Sequence, residues 1–228
     1  MLTVGPAASA WPGPDEKTAV TAIALAAIMA MAVAVLVAAE RRGDRRPVLV
    51  AKPVASLAFL LLGWSRVEPG HPYGAWVLLA LLLCVAGDLL LMLRRGFLPG
   101  LASFLLGHLA YVLAFSALLL PRSWPAIWAA PPLAASIAVA LWLSPHLGRL
   151  RVPVVAYIAV ITVMVWGAVA VTVTGRGPWF LAAGAVLFYL SDLAVVRDRL
   201  VVKRFASRAW GLPAYYLGQF LLALTVGH

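Results

Sequence analysis

Acidic residues are scarce in this sequence. The 228 residues include eight Asp and Glu against eighteen Lys and Arg, with 11% charged and 64% hydrophobic residues. A soluble globular protein has about 25% charged and roughly 45–50% apolar residues, so these side chains cannot cover a soluble surface. The composition therefore excludes a soluble domain and, despite the net charge of +10, a nucleic-acid-binding protein.

Cysteine and the familiar catalytic motifs are also missing or nearly so. Cys84 is the single cysteine, which excludes a disulfide framework and a thiolate metal site. The chain has no Gly-x-Ser-x-Gly turn, no His-Glu-x-x-His and no phosphate-binding glycine loop. Serine hydrolase and zinc protease chemistry are therefore disfavoured.

Long apolar runs make up most of the chain. A membrane-spanning helix needs about 20 mostly apolar residues. Eight segments meet this requirement: 18–39, 48–65, 73–93, 98–120, 124–143, 152–174, 178–196 and 208–226. We predict an all-α polytopic membrane bundle, with residues 1–17 as an extracytoplasmic tail and 18–228 as one eight-helix transmembrane domain. Seven spans is the alternative, because Lys52-Pro53 is compatible with a partly re-entrant second segment.

The basic residues gather on one side of the predicted bundle. Fourteen of the eighteen lie in or beside the loops after spans one, three, five and seven. Since Lys and Arg favour cytoplasmic loops, both termini are predicted to lie outside the cytoplasm. The fourteen are Arg41, Arg42, Arg45, Arg46, Lys52, Arg94, Arg95, Arg149, Arg151, Arg197, Arg199, Lys203, Arg204 and Arg208.

A weak parallel repeat relates spans three and four to spans seven and eight. Leu83-Cys-Val-Ala-Gly-Asp-Leu-Leu resembles Phe188-Tyr-Leu-Ser-Asp-Leu-Ala, and Leu106-Gly-His108 resembles Leu217-Gly-Gln219. Repeats of this kind usually place a functional site at their interface. Chance similarity between Leu- and Ala-rich helices is the alternative.

Two acids lie inside predicted spans, Asp88 and Asp192. An aspartate at mid-membrane costs about 2.5–3.5 kcal/mol on insertion scales, so both are functional candidates by default. They precede Arg94 and Arg197 by six and five residues, which places both roughly 8–9 Å from the same interface. The alternative is a structural pair with Lys52 or an arginine. The remaining acids are expected in tails or loops, as solvated or charge-balancing groups: Asp15, Glu16, Glu40, Asp44, Glu68 and Asp198.

Further polar side chains are expected at the level of the aspartates. Lys52 opens span two there, where it either snorkels to the interface or binds a phosphate or an aspartate. A lone histidine such as His108 is often a packing residue, and Ser56, Ser103 and Thr162 are interpreted as helix-packing residues. The candidate binding or orienting residues are Lys52, His108, Tyr111, Tyr189, Tyr215 and Gln219.

A carboxyl pair in a low-dielectric layer can supply one general acid and one general base. Without a nucleophile, such a pair suits acid-labile bonds such as acetals and enol ethers. A small proton-coupled transporter or lipid-handling protein explains two intramembrane aspartates equally well, whereas a structural or regulatory protein does not explain their cost. The outer halves of spans three and seven carry no ionisable side chain except Tyr73, which favours chemistry at one side of the membrane.

Six motifs in order resemble the YhhN-like lysoplasmalogenase family, over spans two to eight. They are Lys52-Pro53, Gly87-Asp88-Leu89-Leu90-Leu91-Met92, Phe97-Leu-Pro-Gly100, Ser103-Phe-Leu-Leu-Gly-His108-Leu-Ala-Tyr111, Gly184-Ala-Val-Leu-Phe-Tyr-Leu-Ser-Asp192 and Tyr215-Tyr-Leu-Gly-Gln219. The segment Arg197 to Phe205 is longer than the family pattern leads us to expect.

The resemblance implies hydrolysis of the sn-1 vinyl ether of a lysoplasmalogen to a fatty aldehyde and glycerophosphoethanolamine or glycerophosphocholine. Asp88 and Asp192 would be the acid and the base, in an order that the sequence leaves open. We expect no cofactor and no metal, with a cation held by Asp88, Asp192 and His108 as the alternative. The expected setting is a bacterial plasma membrane, with a lysophospholipid substrate entering from the cytoplasmic leaflet.

Overall fold

The computed structural model describes residues 16–227, so the predicted tail lies almost entirely outside the described residues. The described chain consists of α-helices joined by short turns, without a β-strand. The helices are α1 (Glu16–Arg42), α2 (Arg45–Arg66), α3 (Pro72–Met92), α4 (Phe97–Leu118), α5 (Ala130–Leu143), α6 (Arg151–Val173), α7 (Trp179–Val196) and α8 (Phe205–Leu224). The predicted all-α polytopic bundle is confirmed.

Seven of the helical segments are long and apolar enough to cross a membrane. The short helix α5 reaches that length only together with its flanking turns, over Ala126–His146. The helix that falls short is α8, whose polar side chains, Arg208 and Gln219 among them, lower its mean hydropathy. The sequence instead points to the second span as the one in doubt, because of Lys52-Pro53. In the structure α2 runs as one helix through Pro53.

The two predicted repeats pack in the same way. Helix α3 packs most extensively on α4, and α7 on α8. A methyl group at Gly107 of α4 would come within 3.4 Å of the Ala80 carbonyl oxygen of α3. At the matching Gly218 of α8, a methyl group would come within 2.9 Å of the Gly184 carbonyl oxygen of α7. Each glycine therefore lets a helix pair approach closely at the same point of the repeat.

The repeats differ in their connections. Helices α3 and α4 are joined by residues 93–96, whereas α7 and α8 are joined by residues 197–204, which begin with a π-helical turn over Arg197–Val201. The longer connection lies at the end of the bundle that carries the loops after α1, α3, α5 and α7. We call this end the basic end.

Candidate active site

A cavity of about 820 Å³ lies at the basic end of the bundle. Its walls come from α1 to α4, α6, α7, α8 and the α7–α8 connection, and both Asp88 and Asp192 line it. On three helices the polar site residue lies deeper than an apolar lining residue: Lys52 lies beyond Val48, Asp88 beyond Leu91, and Tyr215 beyond Leu212. A step of three or four residues along a helix is about 5 Å. The aspartates therefore form the floor of the cavity, beneath apolar walls.

Asp88 of α3 is buried and carries hydrogen bonds on both oxygens. Lys52 Nζ of α2 lies 3.1 Å from Oδ1. Ser56 and Tyr215 each donate a hydrogen bond to Oδ2 at 2.7 Å. The structural ion pair that the sequence left open for Asp88 thus exists, and it forms part of the cavity floor. Lys52 points to Asp88 with a side chain only 12% exposed, rather than out to the interface.

Asp192 of α7 has a different environment. Tyr157 of α6 donates a hydrogen bond of 2.7 Å to Oδ2, and His108 Nε2 of α4 lies 3.2 Å from the same oxygen. No lysine or arginine within residues 16–227 pairs with this carboxyl group. Its side chain is 14% exposed, against 4% for Asp88, so Asp192 is the more accessible of the two.

Both ring nitrogens of His108 lie close to an oxygen atom. Its Nδ1 lies 2.7 Å from the Phe104 carbonyl oxygen, a contact that requires the proton on Nδ1 because a carbonyl only accepts. The fully buried Nε2 has no aligned hydrogen-bond partner among the described residues. A bare Nε2 lone pair and a carboxylate oxygen repel each other at 3.2 Å. A hydrogen bond between the two side chains therefore requires a proton on Nε2 or on the carboxyl group of Asp192.

Both aspartates are contacted across the boundary between the repeats. Asp88 in the first helix of one repeat receives Tyr215 from the second helix of the other. In the same way, Asp192 in the first helix of the second repeat is contacted by His108 from the second helix of the first repeat. The floor of the cavity is thus built at the interface of the repeats, as the parallel arrangement predicts.

The other predicted orienting residues lie outside this layer. Tyr111 donates a hydrogen bond of 2.7 Å to Gln219 Oε1, and both side chains are fully buried away from the cavity. Tyr189 contacts Ser136 of α5 at 3.2 Å, although it lies three residues before Asp192. A position close to a site residue along a helix therefore does not by itself bring a side chain into the cavity.

Sequence reasoning missed two groups that touch the carboxylates. Ser56 was interpreted as a packing residue, but it lies four residues after Lys52 on the same helical face and bonds Asp88. Tyr157 belongs to α6, outside the repeat and all of the quoted motifs, and no pattern in the sequence connects it with Asp192.

Glu40 and Asp198 do more than balance loop charge. Both bind Arg208 of α8, with Asp198 Oδ2 3.0 Å from the guanidinium. Asp44 caps α2 by accepting a hydrogen bond from the Arg46 amide at 3.0 Å. Within the described chain, no group of three His, Cys, Asp or Glu side chains is arranged to hold a metal ion. The alternative cation site of Asp88, Asp192 and His108 is therefore not formed.

Comparison with known proteins gives one family. The YhhN family profile matches residues 47–226. The chain is 33% identical over 171 residues to "Lysoplasmalogenase TMEM86B" of Rattus norvegicus, covering 74% of this chain and 68% of that protein. It is 33% identical over 178 residues to "Lysoplasmalogenase" of Mycobacterium tuberculosis, covering 71% and 63%, and 30% identical over 173 residues to human TMEM86B. The chain thus spans about two thirds of the length of these relatives. No solved structure matches it significantly.

Proposed function

The chain belongs to the YhhN family, and on that premise we propose that it hydrolyses the vinyl ether bond of lysoplasmalogens, with Asp88 and Asp192 as its acid–base pair. The names of the relatives support a lysoplasmalogen substrate. The observation that carries the mechanism is that two aspartates from different repeats line the floor of one cavity. One of them, Asp88, is paired with a lysine, whereas Asp192 is next to a histidine.

The partners of the two aspartates favour one assignment of the two roles. Asp88 has a lysine ammonium and two hydroxyl donors, and such donors stabilise the ionised form of a carboxyl group. Asp192 has no lysine or arginine beside it in the described chain, faces His108 Nε2 at 3.2 Å and is more open to the cavity. Asp192 with His108 is therefore the general acid, and Asp88 is the general base.

Hydrolysis then proceeds in three balanced steps. The acid transfers its proton to the vinyl carbon that is not bonded to the ether oxygen, and the C=C electron pair forms the new C–H bond. The other vinyl carbon and the ether oxygen share the resulting positive charge. Asp88 stabilises this oxocarbenium ion and takes a proton from the water that adds to it. In the hemiacetal collapse Asp88 returns its proton to the departing glycerol oxygen, and the Asp192–His108 pair takes the proton of the hemiacetal hydroxyl. The C–O bond breaks, a fatty aldehyde and a glycerophosphoethanolamine or glycerophosphocholine are released, and both groups regain their starting protonation. Water is the only co-reactant that this balance requires.

The apolar walls suit a single-chain lipid. Leu91, Leu101 and Leu212 line the cavity between its floor and its rim, where they can contact apolar parts of the lipid. We place the basic end in the cytoplasm of a bacterial plasma membrane, so that the substrate enters from the inner leaflet. This orientation follows from the position of the basic loops.

A direct test uses purified protein in detergent micelles with lysoplasmenyl-ethanolamine and the corresponding ester lipid. Aldehyde release is measured for Asp88→Asn and Asp192→Asn. Both variants are expected to lose about 100-fold or more in rate, as removal of general acid–base catalysis does. The control is Glu68→Gln, the same change in an exposed residue between α2 and α3. Full activity in either aspartate variant, or equal cleavage of the ester, would refute the proposal.

A further inference from the structure

Four basic residues stand at the rim of the cavity. Arg45 comes from the start of α2, and Arg199, Lys203 and Arg204 come from the α7–α8 connection. All four side chains are exposed. Arg199 lies over the Phe97 ring at 5.5 Å, and none of the four forms an ion pair with an acid in residues 16–227. The rim therefore has cationic groups that no acid of the described chain neutralises.

The acids near the rim are already engaged. Arg208 binds both Glu40 and Asp198, and Asp198 also accepts a hydrogen bond from the backbone amide of Arg204 at 3.1 Å. Asp44 accepts the Arg46 amide at the start of α2. These contacts fix the α7–α8 connection at the rim and leave Arg199, Lys203 and Arg204 without an acidic partner in the described chain.

The repeat shows that this placement is specific to one connection. The α3–α4 connection is four residues shorter and carries Arg94 and Arg95, which do not line the cavity. Three of the four rim cations lie in the longer α7–α8 connection. A general excess of basic residues at this end of the bundle does not explain that difference.

We infer that Arg45, Arg199, Lys203 and Arg204 form a subsite for the phosphodiester anion of the lipid headgroup. The inference rests on the proposed function. When the vinyl ether lies at the floor of the cavity, the glycerol backbone separates it from the phosphate, which then lies toward the rim. Guanidinium and ammonium groups are the usual partners of phosphate oxygens. Lys52, a candidate phosphate ligand on sequence grounds, is occupied by Asp88.

Binding of an uncleavable substrate analogue tests the subsite without relying on catalysis. The probes are a 1-O-alkyl lysophosphatidylethanolamine, whose saturated ether is not a vinyl ether, and the 1-O-alkylglycerol that lacks the phosphate. Titration calorimetry in detergent micelles compares the wild type, the triple variant Arg199→Gln/Lys203→Gln/Arg204→Gln and the control Arg94→Gln/Arg95→Gln. The control removes two bases from the matching connection outside the cavity.

We expect the triple variant to bind the lysolipid roughly tenfold more weakly and the alkylglycerol unchanged, since each exposed ionic contact contributes modestly. Added salt should weaken lysolipid binding to the wild type in the same selective way. Undiminished lysolipid binding in the triple variant, or an equal loss in the control, overturns the inference. So does an equal loss of both probes, which would indicate a general change of the cavity.

Free glycerophosphoethanolamine distinguishes the two sources of the anion. Much weaker binding of this soluble diester than of the lysolipid assigns the subsite to the lipid headgroup, whereas equal binding contradicts that assignment. Selective lysolipid binding by a wild-type protein that cleaves no vinyl ether would refute the proposed function and leave the subsite standing. Vinyl ether cleavage by a wild-type protein that binds the lysolipid no better than the alkylglycerol would support the proposed function and refute the subsite.

Discussion

Asp88 and Asp192 share one cavity but not one environment. A lysine and two hydroxyl groups surround Asp88, whereas a tyrosine and a histidine surround Asp192. Acid–base catalysis requires two groups in different protonation states at one pH. In the proposed mechanism, the difference between the partners, rather than the presence of two carboxyl groups, lets one aspartate protonate a carbon and the other accept a proton from water.

Tyr157 is expected to contribute to turnover through Asp192. Tyr157→Phe removes the hydroxyl that donates to Oδ2, and loss of a hydrogen bond to a charged or reacting carboxyl group costs about 1.5–3 kcal/mol, or roughly 10–100-fold in kcat. The measurement is aldehyde release at saturating substrate. The control is Tyr189→Phe, which removes a hydroxyl near Asp192 in sequence that contacts Ser136 instead. Equal losses in the two variants would contradict a specific role for Tyr157.

The Lys52–Asp88 ion pair is expected to be structural as well as catalytic. Lys52→Met leaves a buried carboxyl group without its cation, which costs about 3–5 kcal/mol of unfolding free energy. Lys52→Met/Asp88→Leu removes both charges and should recover much of that loss without recovering activity. Thermal unfolding in detergent compares the two variants. If the double variant is less stable than the single one, the ion pair is not the source of the loss.

The sequence is enough to single out the two aspartates of the candidate site but not all of the side chains that contact them. Asp88 and Asp192 could be found because burial in an apolar helix is costly for any aspartate. Lys52, His108 and Tyr215 could be placed at the same level by helical periodicity. Tyr157 could not, because its contact depends on how α6 packs against α7. Tyr189 was placed near the site by spacing alone, whereas the rotation of α7 directs it to Ser136.

Close helix packing supports the positions of the site residues. The Gly218 position of α8 faces backbone atoms of α7, with Gly184 O 2.9 Å and Phe188 N 3.1 Å from an added methyl group. Backbone atoms cannot rotate away as side chains can. The close packing of α7 on α8, which carry Asp192 and Tyr215, therefore requires a glycine at position 218.

Gly218→Ala is accordingly expected to destabilise the protein by about 1–3 kcal/mol, the usual cost of overpacking. The matched control is Gly107→Ala in the other repeat, where the nearest atom is Cys84 Sγ at 3.2 Å and the nearest backbone oxygen is 3.4 Å away. A smaller loss is expected there. Thermal unfolding in detergent measures both, and a larger loss for Gly107→Ala would contradict the packing argument.

At the level of the whole molecule, the cavity and the basic loops lie at the same end of the bundle. If that end faces the cytoplasm, the proposed reaction takes place on lipid of the inner leaflet. A periplasm-active phosphatase reporter fused after His228 should therefore be active, and the same reporter inserted after Arg95 should be inactive. The opposite pattern would reverse the orientation and place the site at the outer leaflet.

The polar character of α8 has a consequence for biogenesis. A translocon releases a helix into lipid according to its own hydrophobicity, and α8 is the one predicted span that falls short on that measure. Its insertion must rely on helices already in place, chiefly α7, against which it packs most closely. Since α8 also supplies Tyr215 to Asp88, we expect the hydrogen bonding of Asp88 to be completed only after this last helix has been inserted.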